Sequence, residues 1–179
     1  TAENKSVYQK VLFYRGVELF NESNYSDASK MFKNAISEQK TPEFTARATF
    51  WKAETEYLAD DFQNALLTYK QFVGFPVAKS TGEYKNINYN IGYTYFKLKE
   101  YDQAANSFQA QIDTNKEDKV RLNDSYLRLG DCRFVSAKYG LAMEAYSKAM
   151  DAKGVDADYA QFQKAMSYGF ISKNDKKIE

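Results

Sequence analysis

No histidine occurs in this 179-residue sequence. Ser-His-Asp and Cys-His catalysis, imidazole proton shuttling and every histidine-containing metal site are thereby excluded. The single cysteine, Cys132, excludes an intrachain disulfide and any multi-cysteine metal centre. Following Gly130 in a helical pattern, it reads as a buried, inert thiol. Two prolines and eight glycines are too few for the many turns of an all-β protein. Neither sign of charge dominates: 25 Lys and Arg against 24 Asp and Glu leave a formal net charge of +1. That balance gives no electrostatic reason for affinity to nucleic acid or an anionic membrane. The longest apolar stretch, Phe72 to Ala78, is far short of the about 20 residues of a bilayer span. No phosphate loop or dinucleotide fingerprint is present, so no catalytic, cofactor or metal residue is assigned. The chain opens at Thr1 without methionine or an h-region, which reads as a processed or excised form.

Aromatic residues are abundant, with 15 Tyr and 13 Phe, and they recur in register. An aromatic, an alanine three positions on and a second aromatic four further appear as Tyr25, Ala28, Phe32; Phe62, Ala65, Tyr69; Tyr101, Ala104, Phe108; and Tyr139, Ala142, Tyr146. A further element stands three residues beyond each: Ala35, Phe72, Gln111 and Ala149. These offsets fall on one helical face. Nine residues before each leading aromatic stands a small residue: Gly16, Ala53, Gly92 and Gly130. The leading aromatics are 37, 39 and 38 residues apart. A glycine inside a helix costs up to about 1 kcal/mol, so its recurrence implies a second helix approaching where a larger side chain would clash. Each unit therefore reads as helix A, a short turn and an antiparallel helix B. The helices are expected at 5–21, 25–38, 42–59, 62–73, 83–98, 101–114, 118–136, 139–151 and 156–172, with a stub from about 175. Asn24 and Asp61 suit N-caps, and Thr41-Pro42 suits a helix start. Asp60-Asp61 is better explained as such a turn than as a metal or catalytic pair, and Trp51 as inter-repeat core.

With these residues in register, the sequence resembles a tetratricopeptide repeat protein. The resemblance implies an all-α, right-handed superhelical solenoid of antiparallel helix pairs. It divides the chain, read as one array over 1–179, into repeats at about 5–40, 42–77, 82–116 and 118–153 and a partial fifth at 156–179. Units longer than the usual about 34 residues are similar to those of bacterial cell-envelope members, which points to a bacterial periplasm or envelope. In the fifth unit Ala165 is the expected small residue. Lys173 to Glu179 would open an unfinished B helix, its lysines Lys173, Lys176 and Lys177 forming a solvated face. A natural protein continuing past Glu179 is expected from the unpartnered helix that remains.

In such an array the A helices line a concave wall. A-helix residues outside the packing pattern are then groove candidates: Phe13, Phe20, Phe50, Tyr57, Tyr89, Tyr93, Phe96, Arg128 and Phe134. Rigid rings with interspersed Arg suit a surface for a peptide or protein partner. Packing of the same rings against the neighbouring repeat stands as the open alternative. The Lys, Asn and Arg clamp by which related domains grip a chaperone's C-terminal carboxylate is not matched, since Phe13 and Val17 stand at the first-repeat positions. The sequence therefore implies a non-enzymatic interaction scaffold. The second reading is a spacer or self-association module of a larger envelope protein, associating through its C-terminal helix. Asn21, Asn24 and Asn123 match the glycosylation sequon by coincidence.

Overall fold

The small residues do approach a second helix. In a computed structural model, which describes residues 2–151 and 156–175, a Cβ added at Gly16 would lie 2.6 Å from the Phe32 ring. At Gly92 it would lie 2.9 Å from Phe108, and at Gly130 2.5 Å from Tyr146. Ala53, fully buried, holds the equivalent place in the second hairpin. Each ring stands sixteen residues after its small residue, and the intervening alanines Ala28, Ala65, Ala104 and Ala142 are fully buried. Ring against notch and alanine against the facing helix give the interdigitated packing that interiors require.

Among the described residues there are nine α-helices and no strand. The chain divides into two compact units, Thr1–Ile87 and Asn88–Glu179. The first holds α1 (Ala2–Asn21), α2 (Tyr25–Glu38), α3 (Pro42–Leu58) and α4 (Phe62–Gly74). The second holds nearly all of α5 (Ile87–Lys97), then α6 (Tyr101–Thr114), α7 (Lys119–Val135), α8 (Tyr139–Asp151) and α9 (Ala157–Asp175). Hairpins one and two are joined by a buried amide. Gln9 donates to the Ala35 carbonyl and to Thr45 Oγ1, both at 2.9 Å, and accepts the Thr41 N–H at 2.7 Å.

All four A-to-B turns share one construction. Ser23, Asp60, Lys99 and Ala137 take left-handed backbone, with φ of 61°, 57°, 61° and 57°. The next residue's N–H then reaches back to the carbonyl five residues earlier: Asn24 to Leu19, Asp61 to Glu56, Glu100 to Tyr95 and Lys138 to Arg133, at 2.8–2.9 Å. This is the Schellman ending of a helix, usually made with glycine at the left-handed position. Asn24 and Asp61 accept hydrogen bonds from the Asp27 and Asn64 N–H groups, as caps should.

Two expectations change. The A helix expected over 83–98 begins only at Ile87, after two short 3₁₀ helices, Pro76–Ser80 and Gly82–Asn86. Glu83 is pinned there by Arg47 and Trp51 of α3, at 2.9 and 3.2 Å, and the tighter coil keeps it docked. In α9, Ala165 is exposed and no neighbour lies within 4 Å of a Cβ built at Gly169. The helix runs on to Asp175 where a turn was expected; Lys176 to Glu179 lie outside the described residues.

Gly130→Ala tests the notch directly. Overpacking costs about 1–3 kcal/mol, against about 1 kcal/mol that alanine gains over glycine in a helix. The Tyr146 ring cannot give way, being buried and hydrogen-bonded to Asp131. Urea denaturation should therefore show Gly130→Ala less stable and Gly169→Ala, in open space, more stable. Separately, Ala137→Gly should raise stability by about 1 kcal/mol by relieving the left-handed alanine.

Candidate functional site

Four of the nine groove candidates close the hairpins. Phe20, Tyr57, Phe96 and Phe134 each stand five residues before a leading aromatic and meet it edge-to-face. The pairs are Phe20–Tyr25 at 5.3 Å, Tyr57–Phe62 at 5.3 Å, Phe96–Tyr101 at 5.5 Å and Phe134–Tyr139 at 5.4 Å. Phe20 also abuts Trp51 at 5.0 Å, and Phe134 abuts Phe170 at 5.6 Å. The left-handed turn brings the start of helix B beside the last ring of helix A, so all four rings pack there while staying partly exposed.

Phe13 and Phe50 are core residues, 1% and 7% exposed. Phe13 packs on Phe32 and Phe44, and the Arg47 guanidinium covers its face at 4.8 Å. Phe50 packs on Tyr69 and Phe72. Their position, three residues before the notch, points between the two helices of the pair. Arg47 itself is committed to Glu83.

The remaining three, Tyr89, Tyr93 and Arg128, come together in the second unit. Both tyrosines donate to Asp124 Oδ2, at 2.9 and 2.5 Å, and their rings meet at 4.9 Å. Arg128 donates through Nε to the Tyr93 hydroxyl at 3.2 Å and to Asp124 Oδ1 at 3.3 Å. Its Nη1 donates to Asp131 Oδ2 at 2.6 Å. The other oxygen of Asp131 accepts the hydroxyls of Tyr146 at 2.9 Å and Tyr159 at 2.8 Å. Side chains of α5, α7, α8 and α9 are thus held in one chain of hydrogen bonds, its charged members paired as burial demands. Arg128 Nη2 has no acceptor among the described residues, and the side chain stays 26% exposed.

Burial, and then the Asp124 charge, push the Tyr89 phenol up to about 12. The Tyr93 and Tyr146 phenols are pushed higher still, by burial first and by Asp124 and Asp131 respectively. Burial opposes the Arg128 charge, but Tyr93, Asp131 and Asp124 outweigh it and hold the guanidinium above its ordinary value. The Cys132 thiol, fully buried, is pushed up to about 12 by burial and by Asp131.

One signal of this network was present in the sequence and unused. The ring at the notch is Phe in hairpins one and three and Tyr in two and four. Where it is Tyr, the residue after the notch is acidic: Glu54 accepts from Tyr69 as Asp131 does from Tyr146. Where it is Phe, that residue is Val17 or Tyr93. Among the described residues no group of His, Cys, Asp and Glu is placed to hold a metal ion, and no helix is long and apolar enough to cross a membrane.

The sequence profile of the tetratricopeptide repeat matches residues 15–83. No curated protein sequence matches the chain. Solved structures do: MamA, 19% identical over 95% of this chain and 86% of its own, has a TM-score of 0.76. The nearly identical TPR-like repeats of a putative kinesin light chain from Podosopora anserina are 11% identical over 93% and 88%, with a TM-score of 0.69. A Rap protein complexed with competence and sporulation factor is 16% identical over 93% of this chain and 50% of its own, with a TM-score of 0.60. At these identities the likeness is one of fold: an all-α solenoid of helix pairs.

A phenol raised above its unfolded value of about 10 stabilises the fold below that pH, and the stabilisation is lost as pH climbs through the folded value. Helicity should therefore fall between about pH 10 and about pH 12, together with a late rise in phenolate absorbance. Full phenolate absorbance with helicity intact would show that the network does not shield its phenols.

Proposed function

We propose that this chain, whose residues 15–83 match the tetratricopeptide repeat profile and whose fold is that of such arrays, is a non-enzymatic interaction scaffold whose partner, a protein or peptide, docks on the A-helix face of the second unit. The observation that carries this reading is the partly exposed guanidinium of Arg128, fixed between Asp124 and Asp131 and flanked by Tyr89 and Tyr93. A partner's backbone carbonyl or side-chain oxygen meets the unengaged Nη2 edge, while the tyrosine rings supply apolar area. Because the network already holds these groups in place, little side-chain entropy is lost on binding. Tyrosine and arginine dominate binding energy at protein interfaces for these reasons. The similarity to a Rap protein solved with a bound factor supports the class of function and not the ligand.

Peptides selected from a random displayed library against the chain test this. Arg128→Lys keeps the charge and loses the planar fork, and Tyr89→Ala removes a ring. Each should weaken the selected peptides about tenfold, roughly 1.4 kcal/mol, with far-UV circular dichroism unchanged. Peptides that bind both variants as they bind the parent chain would place the partner elsewhere.

A further inference from the structure

The hydrogen bonds already made in the second unit decide which group a partner can bring to Arg128. Among the guanidinium nitrogens, Nε and Nη1 are engaged and Nη2 is not, among the described residues. Nη2 lies on the same side of the planar fork as Nε. Its free hydrogens are therefore beside the oxygen that Nε meets, Asp124 Oδ1 at 3.3 Å. That oxygen accepts this one long hydrogen bond, whereas Oδ2 takes both Tyr89 and Tyr93 and is filled. A carboxylate oxygen has room for about two, so Oδ1 keeps an acceptor position next to a guanidinium edge that keeps a donor. Both side chains reach solvent, Arg128 at 26% exposed and Asp124 at 20%.

Charge narrows the choice further. Arg128 bridges Asp124 and Asp131, so one guanidinium stands against two carboxylates and negative charge is in excess. Arg121, over the Tyr89 ring at 5.7 Å, does not redress this, because it is paired with Asp118. An incoming carboxylate would gain Nη2 and face Asp124 Oδ1 at the same time, and like charges set against each other are how interfaces turn wrong partners away. An incoming ammonium would find Oδ1 but meet the guanidinium. A trans peptide unit points its C=O and N–H to opposite sides and can use only one of the two positions. A primary carboxamide presents both side by side. We infer that the group read at Arg128 is the carboxamide of a partner's Asn or Gln side chain, its oxygen accepting from Nη2 and its NH2 donating to Asp124 Oδ1. Asp124 is then the residue that rejects acidic side chains. The inference rests on the docking face proposed above and adds the chemistry of what docks there.

Library peptides that lose affinity on Arg128→Lys should contain an asparagine or glutamine on which that loss depends. At pH 7, replacing this residue by alanine should weaken binding to the parent chain about tenfold, and replacing it by the matching acid should weaken binding further still. A lost hydrogen bond alone does not put the acid behind alanine; repulsion does. Asp124→Asn keeps the shape and removes the charge, and on this variant the acid should bind more tightly than alanine. An acid that binds the parent chain as well as alanine does overturns the inference and leaves the docking face standing. So do Arg128-sensitive peptides indifferent to alanine at every Asn and Gln, the mark of a main-chain carbonyl, and so does an acid that still ranks last on Asp124→Asn. Peptides indifferent to Arg128→Lys overturn the docking face, and the inference with it. Should Asp124→Asn lose its circular dichroism signal, the ranking on the parent chain decides.

Discussion

The structure depends on one contact, made four times: an aromatic ring of helix B seated against the backbone of helix A. Three of the four notches are glycine, with rings so close that a Cβ would have to displace them. Glycine mid-helix works against the helix, and close approach of the paired helix offsets that loss through dispersion and buried area. Once the ring is seated, other features follow at fixed distances in sequence. The alanine four residues before it must be small, and the left-handed turn residue must fall seven after the notch. The last ring of helix A then meets the first ring of helix B. None of the four turn residues is glycine, so tertiary packing, and not local preference, holds the backbone left-handed there.

The same contact joins the core to the candidate site. A phenylalanine in the notch ends in apolar packing. A tyrosine carries its hydroxyl past the notch to the next residue of helix A, where an acid receives it. In the fourth hairpin that acid, Asp131, also receives Arg128 and Tyr159. Arg128 in turn reaches Tyr93 and Asp124. A hydroxyl in place of one hydrogen on a buried ring thus helps to set where the Asp131 carboxylate, and through it Arg128, is anchored.

How much of this could be read in advance follows from what periodicity measures. It fixes the angle of a side chain around its own helix axis, which is why Gly16, Gly92, Gly130 and the buried alanines were legible as a packing face. It does not say which neighbour stands at that angle. Phe20, Tyr57, Phe96 and Phe134 lie at an angle compatible with a groove, yet the turn carries a partner ring to each of them. Phe13 and Phe50 lie between the paired helices and are lost to the core. Tyr89, Tyr93 and Arg128 were expected on one surface, but their joining through Asp124 depends on two helices 31–35 residues apart in sequence. The late start of α5 was hidden for the same reason: its cause is the docking of Glu83 on α3.

The two units also show why arginine alone does not identify a binding face. Arg47 and Arg128 both project from A helices and both pair with carboxylates. Arg47 lies over the Phe13 face and is tied to the 9%-exposed side chain of Glu83, so its flat surface is spent on the core and its Nε on the connector. Arg128 is held by Nε and Nη1, toward Asp124, Tyr93 and Asp131, and its Nη2 edge is left over. A guanidinium binds a partner through donors that remain after its own fold has been satisfied. By that criterion leftover donors alone do not separate the two, since Arg47 hydrogen-bonds only through Nε among the described residues; what distinguishes Arg128 is the pair of tyrosines fixed beside it through Asp124.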